Sequence, residues 1–368
     1  MRVAVNAVHL VPGETGGFEI YARRLLPALA ALSELELVVV TGPSAARMLR
    51  EDGTPVEIEV IRVDARSRVR GVLAEQAVLP RVVRRLRPQL LHNLFNTAPA
   101  APGVPQVTTI HDVIYRRFPE THAGVLTWGL RVLVPLGVRR SRRLVAVSQA
   151  TKDDIVRFLD VREDRIDVVP NGPGFPPTAE PTPEDDLRHR LVLGDGAVVL
   201  ALSAKRPHKN LERLIEAMCD VDAILVLPGY ATPFEDELRA LAERLGVGRR
   251  VRFAGWLDQS DIEGLYALAT CVVVPSLAEG FGLPVLEAMQ RGAPVATSNA
   301  TSLPEVAGDA ALYFEPTNTN AIADAVNRLL ADDGLRRQLG EAGRAQAAKF
   351  SWERAAEGTA ASYRRALE

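Results

Sequence analysis

The sequence predicts an α/β protein made of two doubly wound parallel-sheet domains. Three observations lead there. Short apolar runs alternate with helix-periodic stretches through the first half, a Pro-rich acidic segment breaks the pattern near residue 180, and the same alternation then restarts. Strands that alternate with helices pair in parallel and are covered on both faces. A length of 368 residues fits two domains better than one.

The first half opens on RVAVNAV (2–8), an apolar run of strand length. FEIYARRLLPALAAL (18–32) has helical periodicity, with Tyr21, Leu25 and Leu32 among its apolar positions. LELVVVT (35–41), LLHNL (90–94), QVTTIHD (106–112), RLVAVS (143–148) and IDVVPNG (166–172) are further strands, each bounded by Gly, Pro or polar turn residues. NGPGFPPTAEPTPEDD (171–186) has prolines and acids without periodicity and reads as an interdomain linker. Then come AVVLALS (197–203), DAILVLPG (222–229), VRFAGW (251–256), TCVVVPS (270–276), APVATS (293–298) and AALYF (310–314), with helical segments between. In SWERAAEGTAASYRRALE (351–368), Ser351 is placed to cap a helix, and Glu353 suits the dipole in its first turn. Arg354 at the third position after the cap excludes a full capping box.

Apolar residues are 47% of the chain and charged residues 24%, an ordinary soluble mix. Cys219 and Cys271 stand in apolar segments without CxxC spacing and read as buried thiols of a reducing compartment. Met1 runs straight into the first strand, so no signal peptide is expected. No apolar run reaches the roughly 18 residues of a membrane span. Residues 1–180 hold 24 Lys and Arg against 19 Asp and Glu, the remainder 20 against 27. A basic first half suits an anionic acceptor or an anionic lipid surface; solvated helix faces are the plainer account. Lysine is rare: Lys152, Lys205, Lys209 and Lys349 stand against 40 arginines. Two of them share SAKRPHKN, which suggests that a compact point charge is wanted there.

The chemistry gathers in a few loops. EGFGLPVLEAM (279–289) places Glu279 before a helix and Glu287 one turn inside it, with Pro284 in the first turn and Gly292 at the stop. Gly280 and Gly282 let backbone approach a ligand, and the amides of a helix start bind an anion such as phosphate. The two oxygens of Glu287 match adjacent hydroxyls such as a ribose diol, and Glu279 at the loop tip suits sugar hydroxyls. A helix start carrying acids for its dipole is the simpler alternative. AKRPHKNLERLIEA (204–217) follows another strand with Lys205, Arg206, His208 and Lys209, cations placed to hold a diphosphate at the carboxyl edge of a sheet. The two loops are expected to share one crevice. VPGETGGFEIYARRL (11–25) offers Gly13, Gly16 and Gly17 as a glycine-rich turn short of a full GxGxxG. His111 and Asp112 end a strand, where His111 can hydrogen-bond a hydroxyl.

Other classes fail. The DxD of Asp220 and Asp222 opens a strand on the amino edge, and the histidines lack ligand spacing, so no metal is expected. Neither a GxSxG elbow nor a GKS/T phosphate loop occurs. RVVRRLRP (81–88) lacks interleaved aromatics, so no nucleic-acid partner is expected. RVLVPLGVRRSRRL (131–144) mixes apolar residues with arginines, as a half-buried helix or a membrane-surface segment does.

PSLAEGFGLPVLEAMQRGAPVATSNATSLPEVAGDAALYFEP closely resembles the signature of family-4 retaining glycosyltransferases, enzymes of the GT-B fold with two Rossmann-like domains facing a central cleft. GGFEIYARRL, TIHDVIYRRFPE, VSQATKDDI, VVPNG, HKNLERLIEA, VRFAGWL and FSWERAA extend the resemblance over most of the chain in the family's order. It implies an acceptor-side domain over 1–178, a donor-binding domain over 179–352, and a C-terminal helix, 353–368, returning to the first. It also implies that Gly16 and Gly17 present amides to the donor diphosphate, His111 contacts the donor sugar near its 6-position, and Lys209 neutralises the diphosphate. Glu279 would bind donor-sugar hydroxyls and Glu287 the ribose. Backbone of Gly280, Phe281, Gly282 and Leu283 would cover the phosphates, and Trp256 and Leu257 lie where the family packs the base. Many members carry an arginine six positions before the lysine; here Ser203 stands there, leaving Lys205 or Arg206 to supply the charge.

The expected activity is transfer of a hexose of mannose, rhamnose or glucose type from a GDP- or UDP-sugar to a glycan, lipid-linked sugar or small metabolite. No metal or other cofactor is expected. The expected setting is cytoplasmic, with peripheral contact at the inner face of a membrane through the basic first domain. The competing readings are a nucleotide-sugar epimerase of the same architecture and a non-catalytic nucleotide-sugar-binding protein.

Overall fold

The computed structural model of the protein describes residues 1–63, 66–118, 125–174 and 179–368, the side chains of 125–128 excepted. The first half forms seven strands; six come from its apolar runs, whose residues are mostly buried because the sheet is covered on both faces. They are β1 (Arg2–Ala7), β2 (Glu36–Thr41), β3 (Glu57–Val60), β4 (Leu90–Asn93), β5 (Gln106–Ile110), β6 (Arg143–Ala146) and β7 (Ile166–Val168). The sheet order is β3-β2-β1-β4-β5-β6-β7, all parallel. β3 is absent from the sequence reading because its four residues, EIEV, alternate acids with apolar residues at the sheet edge and form no apolar run.

The second half supplies β8 (Val198–Leu200), β9 (Ile224–Pro228), β10 (Val251–Gly255), β11 (Cys271–Val274), β12 (Val295–Ser298) and β13 (Leu312–Phe314). Their order, β10-β9-β8-β11-β12-β13, is again all parallel. The order reverses between β1 and β4 in one sheet and between β8 and β11 in the other. Loops leaving the carboxyl ends of such a pair diverge to opposite faces and open a crevice.

The chain divides into two compact units, Met1–Gly174 with Phe350–Glu368, and Phe175–Lys349. Residues 175–178 of the expected linker lie outside the described residues, as do Pro119 and Glu120 of the HDVIYRRFPE stretch. The linker reading runs too far, because Glu184–Leu191 is a helix whose first turn holds Glu184, Asp185 and Asp186. Acids there face the positive end of the helix, so their clustering marks a helix start rather than a flexible tract.

The last helix, Trp352–Leu367, packs in the first unit. Ser351 caps it, accepting from Arg354 N at 3.2 Å. Its Tyr363 is fully buried and meets Nδ1 of His92 in β4 at 2.6 Å. His92 Nε2 lies 2.9 Å from Thr109 Oγ1, which lies 3.0 Å from the Tyr21 hydroxyl. Burial holds His92 down to about 3 and Tyr363 far above its ordinary value. Both are therefore neutral, and a hydroxyl on each side pairs with the two ring nitrogens. Cys271 is buried in β11, but Cys219 is exposed on the turn Met218–Asp220, against the expectation that both are buried. Among the described residues no helix is long and apolar enough to cross a membrane.

Candidate active site

In the second unit, the loop after β8 and the loop after β11 leave the sheet at the point where its order reverses. The first closes a short turn, Pro207–Lys209, with Asn210 in the left-handed region (φ 59°). Asn210 is buried, and its amide donates to the carbonyls of Pro275 (2.9 Å) and Pro316 (2.8 Å). Leu277 N donates back to the His208 carbonyl at 2.8 Å. These bridges set Lys209 against Glu279, the ammonium 2.7 Å from each carboxylate oxygen. Glu279 also accepts from Ser276 Oγ at 2.7 Å. Its own backbone is pinned at both ends: its N–H donates to Thr301 Oγ1 (2.9 Å), and its carbonyl accepts from Ser302 Oγ (3.0 Å). The two loops that the sequence places in one crevice therefore touch.

Gly280, Phe281 and Gly282 carry the chain into the helix Leu283–Arg291, with Pro284 in its first turn and Gly292 (φ 72°) as its stop. Gly282 has φ 107°, and a Cβ there would meet Leu303 at 2.9 Å, so the position demands glycine. The carboxylate of Glu287, one turn in, makes one hydrogen bond among the described residues, accepting from the Tyr266 hydroxyl at 3.3 Å. Burial pushes its carboxyl up to about 7. Arg291 opposes the rise only in part, because its guanidinium is committed to Glu263, with Nε 2.6 Å from Oε2. A half-buried carboxylate with one long hydrogen bond has acceptor capacity to spare, which two neighbouring hydroxyls would fill.

Lys205 does not fit its expected role. Its ammonium is fully buried, donates to the carbonyls of Gly229 (2.8 Å) and Tyr230 (3.4 Å), and pairs with Glu235 at 3.3 Å. Burial lowers its pKa against the pull of Glu235. It anchors the loop after β9 and has no donor left for a diphosphate. Arg206 is exposed and is the remaining cation beside Lys209 in this loop. Ser203, which stands where an arginine is common in the resembling family, makes no hydrogen bond through its hydroxyl among the described residues. Trp256 and Leu257 follow β10, with Trp256 stacked on Tyr230.

In the first unit, Gly16 (φ 53°) precedes the helix Gly17–Ala30 after β1, so the glycine turn meets a helix start. His111 follows β5 and is buried among Phe18, Tyr21 and Phe95, with ring centroids 4.7, 4.6 and 6.4 Å away. Its Nε2 donates to the Leu94 carbonyl at 2.8 Å. Burial lowers it to about 4, so the ring is neutral near pH 7 and offers Nδ1 as an acceptor. Nearby, the buried Glu75 accepts from Asn6 (3.0 Å) and Thr97 (2.9 Å), on a single π-helical turn, Ala74–Val78. Sequence reading missed Glu75, Tyr266 and Tyr230. Tyr266 was findable only as an aromatic at helical spacing, which usually means core.

Between its ordinary 4.5 and about 7, Glu287 keeps a proton in the folded protein that the unfolded chain has released, so stability falls as pH rises through that window. Glu287→Gln is expected to raise the melting temperature by about 2–4 °C near pH 8. The gain should vanish near pH 4.5. A variant no more stable than wild type at the higher pH would show that the carboxylate is not under strain.

Residues 15–173 match the family model described as Glycosyltransferase Family 4, and residues 184–346 the one described as Glycosyl transferases group 1. The chain is 33% identical over 273 residues to the O-antigen chain mannosyltransferase B of Escherichia coli, covering 70% of each protein. It is 34% identical over 226 residues to the serotype-specific mannosyltransferase WbdA of the same organism, spanning 27% of that longer relative. Its fold superposes on the crystal structure of Anabaena HepE in complex with UDP-glucose with a TM-score of 0.79, at 22% identity and over 99% of each chain. With two parallel-sheet units of GT-B type and family matches along both, the chain belongs to the family-4 glycosyltransferases.

Proposed function

We propose that the protein is a retaining, metal-independent hexosyltransferase that moves a sugar from a nucleoside diphosphate donor to a hydroxyl of a glycan, a lipid-linked sugar or a small metabolite. The observation that carries this reading is the ion pair of Lys209 with Glu279 at the reversal point of the sheet, with Glu287 one turn into the adjoining helix. The naming of relatives as mannosyltransferases favours mannose as the hexose, and a UDP-glucose complex of a protein with this fold supports a nucleotide-sugar donor.

Transfer breaks the bond between the anomeric carbon and the diphosphate oxygen. The electron pair leaves with the phosphate, so negative charge grows there while the sugar ring becomes cationic. Lys209 and the helix-start backbone at 280–283 face that growing negative charge. Glu279, once the lysine turns to phosphate, accepts hydroxyls of the sugar, and Glu287 accepts the ribose diol. The acceptor oxygen attacks from the face the phosphate leaves, and its proton passes to the departing phosphate oxygen. His111, neutral and fixed through Nε2, would orient a sugar hydroxyl through Nδ1.

The setting we propose is cytoplasmic, at the inner face of a membrane. Val69 and Leu73 are 71% and 61% exposed, one turn apart on the helix Arg68–Leu73, whose Arg68 and Arg70 are also exposed. Apolar residues rimmed by arginines suit an anionic lipid surface.

Lys209→Met and Glu279→Gln should each slow transfer at least 100-fold, about 3 kcal/mol, with circular dichroism confirming a folded chain. Nuclear magnetic resonance of the product should show the donor's anomeric configuration. Wild-type rates in both variants, an inverted anomer, or isomerised nucleotide sugar formed without acceptor would each refute the assignment. Vesicles containing anionic lipid should pellet the protein at low salt, with Leu73→Glu reducing capture severalfold. Equal capture by neutral vesicles would remove the membrane reading.

A further inference from the structure

The first sheet reverses its order between β1 and β4, and the crevice that opens there has a polar floor. Asn6 near the end of β1, Asn93 at the end of β4 and Glu75 on the π-helical turn are all buried. The Asn6 amide joins the other two, donating to Glu75 Oε1 and to Asn93 Oδ1, each at 3.0 Å. Thr97, in the loop after β4, donates to the same Glu75 oxygen at 2.9 Å. These partners are all neutral, and a buried carboxylate is costly unless it is paired. Among the described residues, the one titratable side chain at ion-pair distance is His9, in the loop after β1, with Nε2 3.4 Å from Glu75 Oε1.

Glu75 is fully buried, whereas the His9 side chain is 24% exposed, so the imidazole stands between the carboxylate and the open side of the crevice. An ionised carboxylate only accepts, so the ring nitrogen turned to it carries the proton and Nδ1 is the acceptor of the neutral ring. Nδ1 makes no hydrogen bond among the described residues. The 3.4 Å separation is long for a hydrogen bond, as acid–histidine pairs often are until substrate binds. Gly71 keeps the Nδ1 edge clear. It lies inside the helix Arg68–Leu73, where glycine weakens the helix, yet a Cβ on it would stand 3.0 Å from His9 Nδ1 and 3.1 Å from Cε1.

The chemistry of the pair says what it meets. Its net charge is negative with the ring neutral and zero with the ring protonated, so it never offers a phosphate a net positive charge. A hydroxyl, which can donate to Nδ1, suits it. In the transfer proposed above, the attacking hydroxyl gives its proton to the departing phosphate. The hydroxyl that His9 receives is therefore a neighbouring one on the same acceptor, a role that rests on that reading.

We propose that His9, oriented by the buried Glu75, is an acceptor-binding residue that takes a hydroxyl beside the attacking one and selects an uncharged sugar end over a phosphorylated one.

Ligand-observed nuclear magnetic resonance of the full chain, in the presence of GDP or UDP, tests this. Methyl α-mannoside and methyl α-glucoside serve as neutral probes and their 6-phosphates as charged ones. In wild type, the better neutral glycoside should bind about tenfold or more tightly than its 6-phosphate. His9→Ala and Gly71→Ala should each weaken that glycoside about fivefold, the loss of one hydrogen bond, with nucleotide affinity unchanged. Glu75→Gln keeps the shape of the buried side chain and removes its charge, so it should bring glycoside and 6-phosphate toward parity; a merely structural Glu75 would weaken both alike. Melting curves check that each variant is folded, and His9→Ala with Gly71→Ala decide the matter if Glu75→Gln is not. A 6-phosphate bound as tightly as its glycoside, no binding of either glycoside, or glycoside affinity indifferent to both His9→Ala and Gly71→Ala would overturn the assignment while nucleotide binding leaves the transferase reading intact. Failure of both GDP and UDP to bind wild type would instead remove that reading.

Discussion

Lys209 grips both oxygens of Glu279, and the second unit's loop cluster is arranged around that contact. Asn210 and Leu277 lace the loops so that the lysine arrives there, while Thr301 and Ser302 fix the glutamate backbone. The pair is largely buried, with side chains 16% and 9% exposed. Breaking a buried pair by removing one partner leaves an uncompensated charge, at a cost of about 3–5 kcal/mol. A ligand can open the pair cheaply only by giving each member a new partner: anionic oxygens for the lysine, hydroxyl donors for the glutamate. A diphosphate joined to a sugar carries both in one molecule.

The same logic runs through the neighbouring residues. Glu287 is kept near pH 7 in an environment that favours its proton, a condition relieved by hydroxyl donors and by little else within reach. His111 in the first unit is neutral and locked by Leu94 rather than free to titrate. Lys205 shows the opposite use of a buried charge. Glu235 and two carbonyls satisfy it fully, so it shapes a loop and is withheld from ligand. Two lysines four residues apart thus do different work, and the difference is set by which carboxylate each one finds.

Strand and helix alternation was legible because parallel strands buried on both faces must be apolar along their length, as in RVAVNAV and AVVLALS. The edge strand EIEV escaped because none of its residues is fully buried at the sheet edge, so glutamates are tolerated in it. Glu279 and Glu287 stand out because a distinctive glycine and proline spacing separates them, and Lys209 because it shares a short loop with another of only four lysines. Lys205 was misjudged because its partners, Glu235 and the Gly229 and Tyr230 carbonyls, come from the next strand and helix, and no local pattern announces them. The Tyr230–Trp256 stack and the Tyr266–Glu287 bond are likewise tertiary facts. The repeated Gly-aromatic ending of two neighbouring strands was the one hint of the stack that the chain offered.

The exchange of partners at Lys209 and Glu279 is tested most directly by measuring the affinities of a bare nucleoside diphosphate and of its sugar conjugate for wild type and Glu279→Gln. With the competing carboxylate removed, the variant should bind the bare diphosphate more tightly than wild type and gain nothing further from the attached sugar. If Glu279→Gln weakens both ligands by the same factor, or alters neither, the pair does not open on donor binding.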